Sequence, residues 1–172
     1  MVPLTGSSQT LDPIPNITIR FATTNDAEAI ASLLVESFVE YESRYTPEGF
    51  AATAITGEQI IARLSEGPVW VAMRKEEIVG AVSVVAKAES LYIRGMAVLP
   101  AARWRGMGAL LLTHVEEFAR TEGFSRLFLS TTPFLDRAIR LYERFGFRRT
   151  SEGPHELFGT PLFTMEKPSV AE

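Results

Sequence analysis

The chain has 172 residues, a formal net charge of -4, 46% hydrophobic and 22% charged residues, and no cysteine. That length fits one domain with a sizeable core, and the acidic balance excludes a surface that binds nucleic acid or anionic membrane by bulk charge. Without cysteine there can be no disulfide, thiolate nucleophile or zinc–thiolate site.

Residues 1–15 are rich in Ser, Thr, Gly and Pro without period and read as a flexible tail, with a single domain expected over 16–168 and a short tail over 169–172. The N-terminus lacks a basic start and an apolar stretch of signal-peptide length, and no run approaches a membrane span, so a cytoplasmic protein is expected. Ile17–Ala22 alternates as a strand. Asn25 and Asp26 start a helix carrying Ile30, Leu33, Leu34, Phe38 and Tyr41 on one face. Residues 43–57 read as a loop or broken helix, and Glu58–Leu64 as a short helix before Gly67–Pro68. Val69–Arg74 and Ile78–Ala86 form a hairpin, followed by a third strand at Leu91–Val98.

The long amphipathic helix spans Gly106–Glu122 and precedes a strand at Arg126–Thr131. Thr132 is placed to cap the next helix, with Pro133 at its first position and Gly146 ending it after Phe145. Phe147–Thr150 and Leu162–Glu166 close the fold as short strands. The order predicts a mixed α/β (α+β) domain whose front half is joined by hairpins and whose later strands are joined by helices.

The most informative segment is Leu91–Arg120, where an apolar strand passes through Pro100, Arg103, Arg105, Gly106 and Gly108 into the long helix. Glycines at a strand-to-helix turn leave backbone N–H groups aimed one way, and with the positive end of the helix they suit a phosphate or pyrophosphate. Arg103 and Arg105 add charge and forked donors. No Gly-Lys-Ser/Thr follows, which excludes a nucleotide P-loop. The third glycine and the distant acid of a dinucleotide fingerprint are also missing.

Arg103-Trp104-Arg105-Gly106-Met107-Gly108-Ala109 resembles motif A of the GNAT superfamily of acyl-CoA-dependent N-acyltransferases, written Arg/Gln-x-x-Gly-x-Gly/Ala. A second segment, Ala138-Ile139-Arg140-Leu141-Tyr142-Glu143-Arg144-Phe145-Gly146-Phe147, resembles the later Ala-x-x-Leu-Tyr-x-x-x-Gly-Phe motif of the same family. The element order agrees with it from about residue 17 to 167.

The resemblance implies a mostly antiparallel central sheet of six to seven strands flanked by about four helices, and an acyltransferase that uses acetyl-CoA as co-substrate without a metal. It implies that backbone groups of Met96, Ala97 and Val98 pair with the pantetheine arm. The segment Arg103, Trp104, Arg105, Gly106, Met107, Gly108 and Ala109 would then hold the pyrophosphate. Tyr142 matches the general acid, although spacing alone equally suits a core tyrosine. The acceptor is expected to be a primary amine of a small molecule or peptide, without nucleic acid or membrane, and the family resemblance points to a homodimer. A catalytically weak CoA-binding sensor or interaction module is the alternative.

The general base is not evident. This strand carries Tyr92, Arg94 and Met96 where many relatives place a glutamate, which leaves Glu89, His155 or a water chain. Glu89 and His155 each read equally as exposed polar residues. His114 is given no role, and Arg94 could pair a carboxylate of the acceptor or point to solvent, the second being the simpler reading. Leu135 stands where the family often has a pantetheine-contacting Asn. Phe38, Tyr41, Tyr45 and Phe50 are expected on the acceptor side, with core packing an equal explanation for Phe38.

Overall fold

The computed structural model describes residues 16–153 and 155–169; the N-terminal tail and residues 170–172 lie outside them. Its elements are β1 (Ile17–Phe21), α1 (Ala27–Phe38), α2 (Pro47–Thr53), α3 (Gly57–Leu64), β2 (Val69–Arg74), β3 (Glu77–Lys87), β4 (Ser90–Val98), α4 (Met107–Thr121), β5 (Arg126–Thr131), α5 (Asp136–Arg144), β6 (Arg148–Arg149), β7 (His155–Leu157) and β8 (Thr160–Pro168). The sheet runs β1-β2-β3-β4-β5-β8-β6, with β7 paired to β8. Only β4 and β5 are parallel; the other pairs are antiparallel, as expected of the fold.

Helices cover both faces. On α4, Met107, Leu111, Leu112, Val115 and Ala119 are all buried, at the spacing of a single helical stripe. They pack with Tyr142, Phe147 and the strand residues Trp70, Val82, Leu91, Ile93, Leu127 and Leu129. The opposite face is covered by Ala27, Ile30, Leu33 and Leu34 of α1 and Ile60 of α3, set against Val69, Val71, Ala81 and Ala97.

The start of α1 is fixed by Asp26. Its carboxylate accepts from the Thr23 backbone N–H at 2.7 Å and from the Arg20 guanidinium at 2.8 and 2.9 Å. The Arg20 hydrogen bonds hold the Asp26 carboxyl at about 2, below its usual 3.8. A carboxylate with a depressed folded pKa stabilises the protein above its unfolded pKa and ceases to do so as pH falls through the folded value. Asp26→Ala should therefore cost about 1 kcal/mol at neutral pH, typical of a lost helix cap. In urea titrations the gap between variant and wild type should close between pH 4 and 2. A gap that persists at pH 2 would show the carboxylate to be unimportant.

Four local details refine the sequence reading. The last major helix starts at Asp136 and not at Pro133, with Leu135 at the cap position. Thr132 to Leu135 forms a separate turn, closed by the Leu135 N–H on the Thr132 carbonyl at 3.3 Å. The reason is Phe134, whose ring sits edge-on to Tyr45 at 4.9 Å and draws this turn off the helix axis.

The segment read as a loop or broken helix holds a 3-10 turn at Val39–Arg44 followed by α2. An additional strand, β7, forms a hairpin with β8 through Phe158 and Gly159, both at positive φ (47° and 88°), in the manner of a type I′ turn. Ser169, expected to begin the C-terminal tail, donates its N–H to the Ser125 carbonyl at 2.9 Å.

Candidate active site

The site begins with a break between neighbouring strands. The parallel β4–β5 ladder runs from Ser90 opposite Arg126 only to Ile93 opposite Leu129, after which β5 continues along β8. A β-bulge lies at the same point: Ser83 faces Gly95 and Val84 faces Ile93, so Arg94 is an extra residue on β4. Bulges bend a strand and reset its side-chain alternation. Here Leu91 and Ile93 join the core under α4, whereas Ala97 joins the core under α1 and α3. The result is a cleft between the C-terminal half of β4 (Gly95, Met96, Ala97, Val98) and β5.

Gly106 turns the chain into α4 at the mouth of this cleft. Its φ of 72° is left-handed, and a Cβ there would meet nothing within 4 Å. Its carbonyl accepts from the Leu110 N–H at 3.0 Å, the first bond of the helix. The N–H groups of Met107, Gly108 and Ala109 therefore have no intrahelical acceptor and lie at the positive helix end. Gly108 has a different role: a Cβ there would lie 2.6 Å from Leu141 Cδ2 and 4.0 Å from Met96 Cε. Its lack of a side chain lets α5 close onto the start of α4.

The two arginines of the motif separate. Arg105 is exposed at the end of the 3-10 turn Pro100–Arg105, which also contains Trp104. Arg103 is engaged elsewhere. It pairs with Glu40, donates from Nη2 to the Ser37 carbonyl at 2.6 Å, and donates from Nε to the Val98 carbonyl at 3.4 Å. Ser37 Oγ donates to the same Val98 carbonyl at 3.2 Å. This side chain thus ties the end of α1 to the end of β4. Arg103→Ala should destabilise the fold by about 1–3 kcal/mol, the range for hydrogen bonds to a charged group. Arg105→Ala should leave melting unchanged and weaken anionic ligands more. The two variants are separable by thermal melting and calorimetry.

Tyr142 lies on α5, 8% exposed, its ring 5.9 Å from that of Phe147. Burial, with a contribution from nearby Tyr45, pushes its phenol up to about 12. It therefore holds its proton throughout the physiological range. Tyr45 is buried too, and its phenol is raised mainly by burial, against the hydroxyls of Thr132 and Thr53. Around it Tyr41, Phe50 and Phe134 form an aromatic cluster, with Arg44 over the Phe134 ring at 5.3 Å. Tyr41, Tyr45 and Phe50 were anticipated on this side. Phe134, on the turn after β5, was not, and an aromatic followed by a leucine before a helix carries no signal that would reveal it. Phe38 packs against the core beneath α1.

The cluster is roofed by the β7–β8 hairpin. The Thr46 N–H donates to Thr160 Oγ1 at 3.0 Å, and Thr46 Oγ1 donates to the Phe158 carbonyl at 2.7 Å. Of the two side chains considered as base, Glu89 lies in the turn before β4, seven residues from Met96 and so about 20 Å along the strand. His155 is exposed on β7. Among the described residues no three His, Asp or Glu side chains gather into a cluster. His114, read as lying away from the apolar stripe, packs edge-on against Trp70 at 4.9 Å, and burial lowers its pKa. Arg94 does not point freely to solvent: it pairs with Glu66, just beyond α3.

The acetyltransferase (GNAT) family model matches residues 27–147, and the chain belongs to that family. It is 37% identical over 82 residues to the Escherichia coli K12 protein named Uncharacterized N-acetyltransferase YjgM, covering 45% of this chain and 49% of that one. It is 35% identical over 89 residues to streptothricin acetyltransferase of Streptomyces lavendulae, covering 45% and 47%. The chain thus spans about half the length of these curated relatives. In architecture it is similar to the PaiA N-acetyltransferase of Thermoplasma acidophilum, solved in complex with coenzyme A. The TM-score is 0.76 at 18% identity, over 88% of this chain and 98% of that one. Among the described residues no helix is long and apolar enough to cross a membrane.

Proposed function

We propose that this protein transfers an acetyl group from acetyl-CoA to a primary amine by direct attack in a ternary complex. The observation that carries this reading is the coincidence of three features: the β4–β5 cleft, the left-handed Gly106 at its mouth, and a buried, protonated Tyr142 on the helix that closes it. The residues present fit a long thioester ending in a diphosphate. Gly106 leaves open space beside three helix N–H groups, and the β4 edge that β5 leaves beyond Ile93 suits an extended arm added like a strand, the Val98 carbonyl being already taken by Ser37 and Arg103. Coenzyme A in the PaiA relative agrees with that fit.

When bound, acetyl-CoA supplies an acyl group activated as a thioester. Backbone groups of Met96, Ala97 and Val98 align the arm, and an N–H near Ala97 or Val98 donates to the carbonyl oxygen as charge builds there. Met107, Gly108 and Ala109 hold the diphosphate, and Arg105 adds charge outside. The amine nitrogen bonds to the carbonyl carbon as the carbon–sulfur bond breaks. Tyr142 gives its proton to the leaving sulfur. The surplus ammonium proton leaves through water, since Glu89 lies at the far end of β4. A homodimer is what the family resemblance points to, and a cytoplasmic location is kept as the expectation read from the sequence.

The test is thermal-shift screening against CoA, acetyl-CoA, ATP and NAD, followed by thiol release over a panel of amines. Stabilisation by CoA and acetyl-CoA alone, with amine-dependent thiol release, is the expected outcome. Tight CoA binding without turnover on any amine would instead support a sensor module of the same fold. Stabilisation by ATP or NAD would remove the CoA assignment.

A further inference from the structure

Arg63 is a partly buried cation that the proposed mechanism leaves unused. It sits near the end of α3, packed over β4: a Cβ on Gly95 would lie 3.7 Å from its Nη1 and 3.7 Å from Ser83 Oγ. The surrounding recess, about 30 Å³, is lined by Ile30, Leu34 and Ile60 above and by Ser83, Gly95 and Met96 below. The β4 bulge turns Arg94 and Gly95, two successive residues, toward α3, so a second guanidinium lies beside the first. Arg94 is neutralised by Glu66, while among the described residues no carboxylate lies within ion-pair distance of Arg63, which is repelled by Arg94. The cluster of Arg63, Arg94 and Glu66 therefore carries one uncompensated positive charge. Burial, then repulsion from Arg94, lowers the Arg63 pKa to about 10, and it stays charged at neutral pH.

A half-buried guanidinium without a carboxylate is costly unless something anionic completes it. This one lies beside Met96, within one to three residues of the backbone where the acetyl carbonyl is placed, so about 3–10 Å from the attacked carbon along the strand. A molecule whose amine reaches that carbon and whose carboxylate reaches Arg63 has the two groups only a few bonds apart. We propose that the acceptor is a small amino acid, its carboxylate held by Arg63 in the recess between α3 and β4 and its amine directed at Met96–Val98. This rests on the acetyltransferase reading above.

The experiment compares alanine, valine, leucine and methionine with their amides, which keep the amine and side chain but lose the anion. The wild type should prefer the acids by at least tenfold in kcat/KM. Arg63→Met keeps the apolar stem and removes the charge. It should lower kcat/KM for the acids roughly 100-fold, the scale of removing one partner of a buried charge pair, and leave the amides and the KM for acetyl-CoA unchanged. Gly95→Ala, whose added methyl makes only ordinary contacts, should reduce acid turnover without lowering the melting temperature. Equal use of acids and amides by the wild type, or an equal loss for both in Arg63→Met, would overturn the proposal.

A binding arm separates it from the catalytic reading. The CoA-loaded protein is titrated calorimetrically with the same N-acetylated amino acids. Binding that Arg63→Met abolishes, without turnover of any amine, would sink the enzyme reading and keep the carboxylate site. Turnover of amines with no Arg63-dependent binding of either form would do the reverse.

Discussion

Tyr142→Phe should lower turnover by roughly 100-fold or more, the scale of a lost general acid, while the KM for acetyl-CoA changes little. The substitution removes one oxygen from a ring packed against Phe147 and the α4 core, so shape is kept and the cleft stays formed. The phenol sits at about 12 because it is buried. It is therefore fully protonated at neutral pH and has a proton to donate toward the departing sulfur. The pH profile gives a second readout: wild-type activity should show no falling limb from Tyr142 below pH 11. If Tyr142→Phe turns over at the wild-type rate, the residue is a core tyrosine and the acid must be sought in water. A fall in melting temperature with unchanged rate per folded molecule would say the same.

Gly106→Val should weaken CoA binding by a further large factor, on the order of 100-fold, while binding of acetyl-pantetheine, which lacks the diphosphate, falls only slightly. At φ 72° any other residue is strained, and a β-branched one most. A side chain there meets no protein atom within 4 Å, so it projects into the space before the helix N–H groups. Calorimetry with CoA and acetyl-pantetheine separates loss of the diphosphate from loss of the fold. Equal weakening of both would move the diphosphate away from the start of α4. Gly108→Val is the useful contrast. Its Cβ would press on Leu141, next to Tyr142, so its effect should fall on turnover as well as on binding.

Much of the architecture is legible in the sequence because the buried stripes are regular. Ile30, Leu33 and Leu34 mark α1, and Leu111, Leu112 and Val115 mark α4, each by helical period. The turn into α4 is legible because Gly106 adopts a left-handed conformation that few other residues tolerate. The rest was hidden for definite reasons. β7 has three residues, none buried, and its turn uses Phe158-Gly159 where Asn-Gly would have announced a hairpin. Thr132 and Pro133 carry the chemistry of a helix start, but tertiary contacts of Phe134 override it. Arg103 reads as a phosphate ligand by motif, and only the distant Glu40 and Ser37 reveal its structural tie. Arg63 is silent in sequence because an arginine on a short amphipathic helix ordinarily faces water. It takes the β4 bulge, a register shift that no local pattern encodes, to bring Gly95 beneath it.

The contact between α2 and the β7–β8 hairpin bears on how this scaffold could be re-engineered. Gly49 has no room for a side chain: a Cβ would fall 2.3 Å from Thr160 Oγ1 and 2.9 Å from the Leu157 carbonyl. Thr46 reaches across to the same hairpin. Two segments more than a hundred residues apart in the chain therefore form one fitted rim. A loop graft that swapped residues 46–53 alone would import a shape the hairpin cannot accept. Recombination that keeps this rim intact requires 46–53 and 155–160 to be inherited from the same parent.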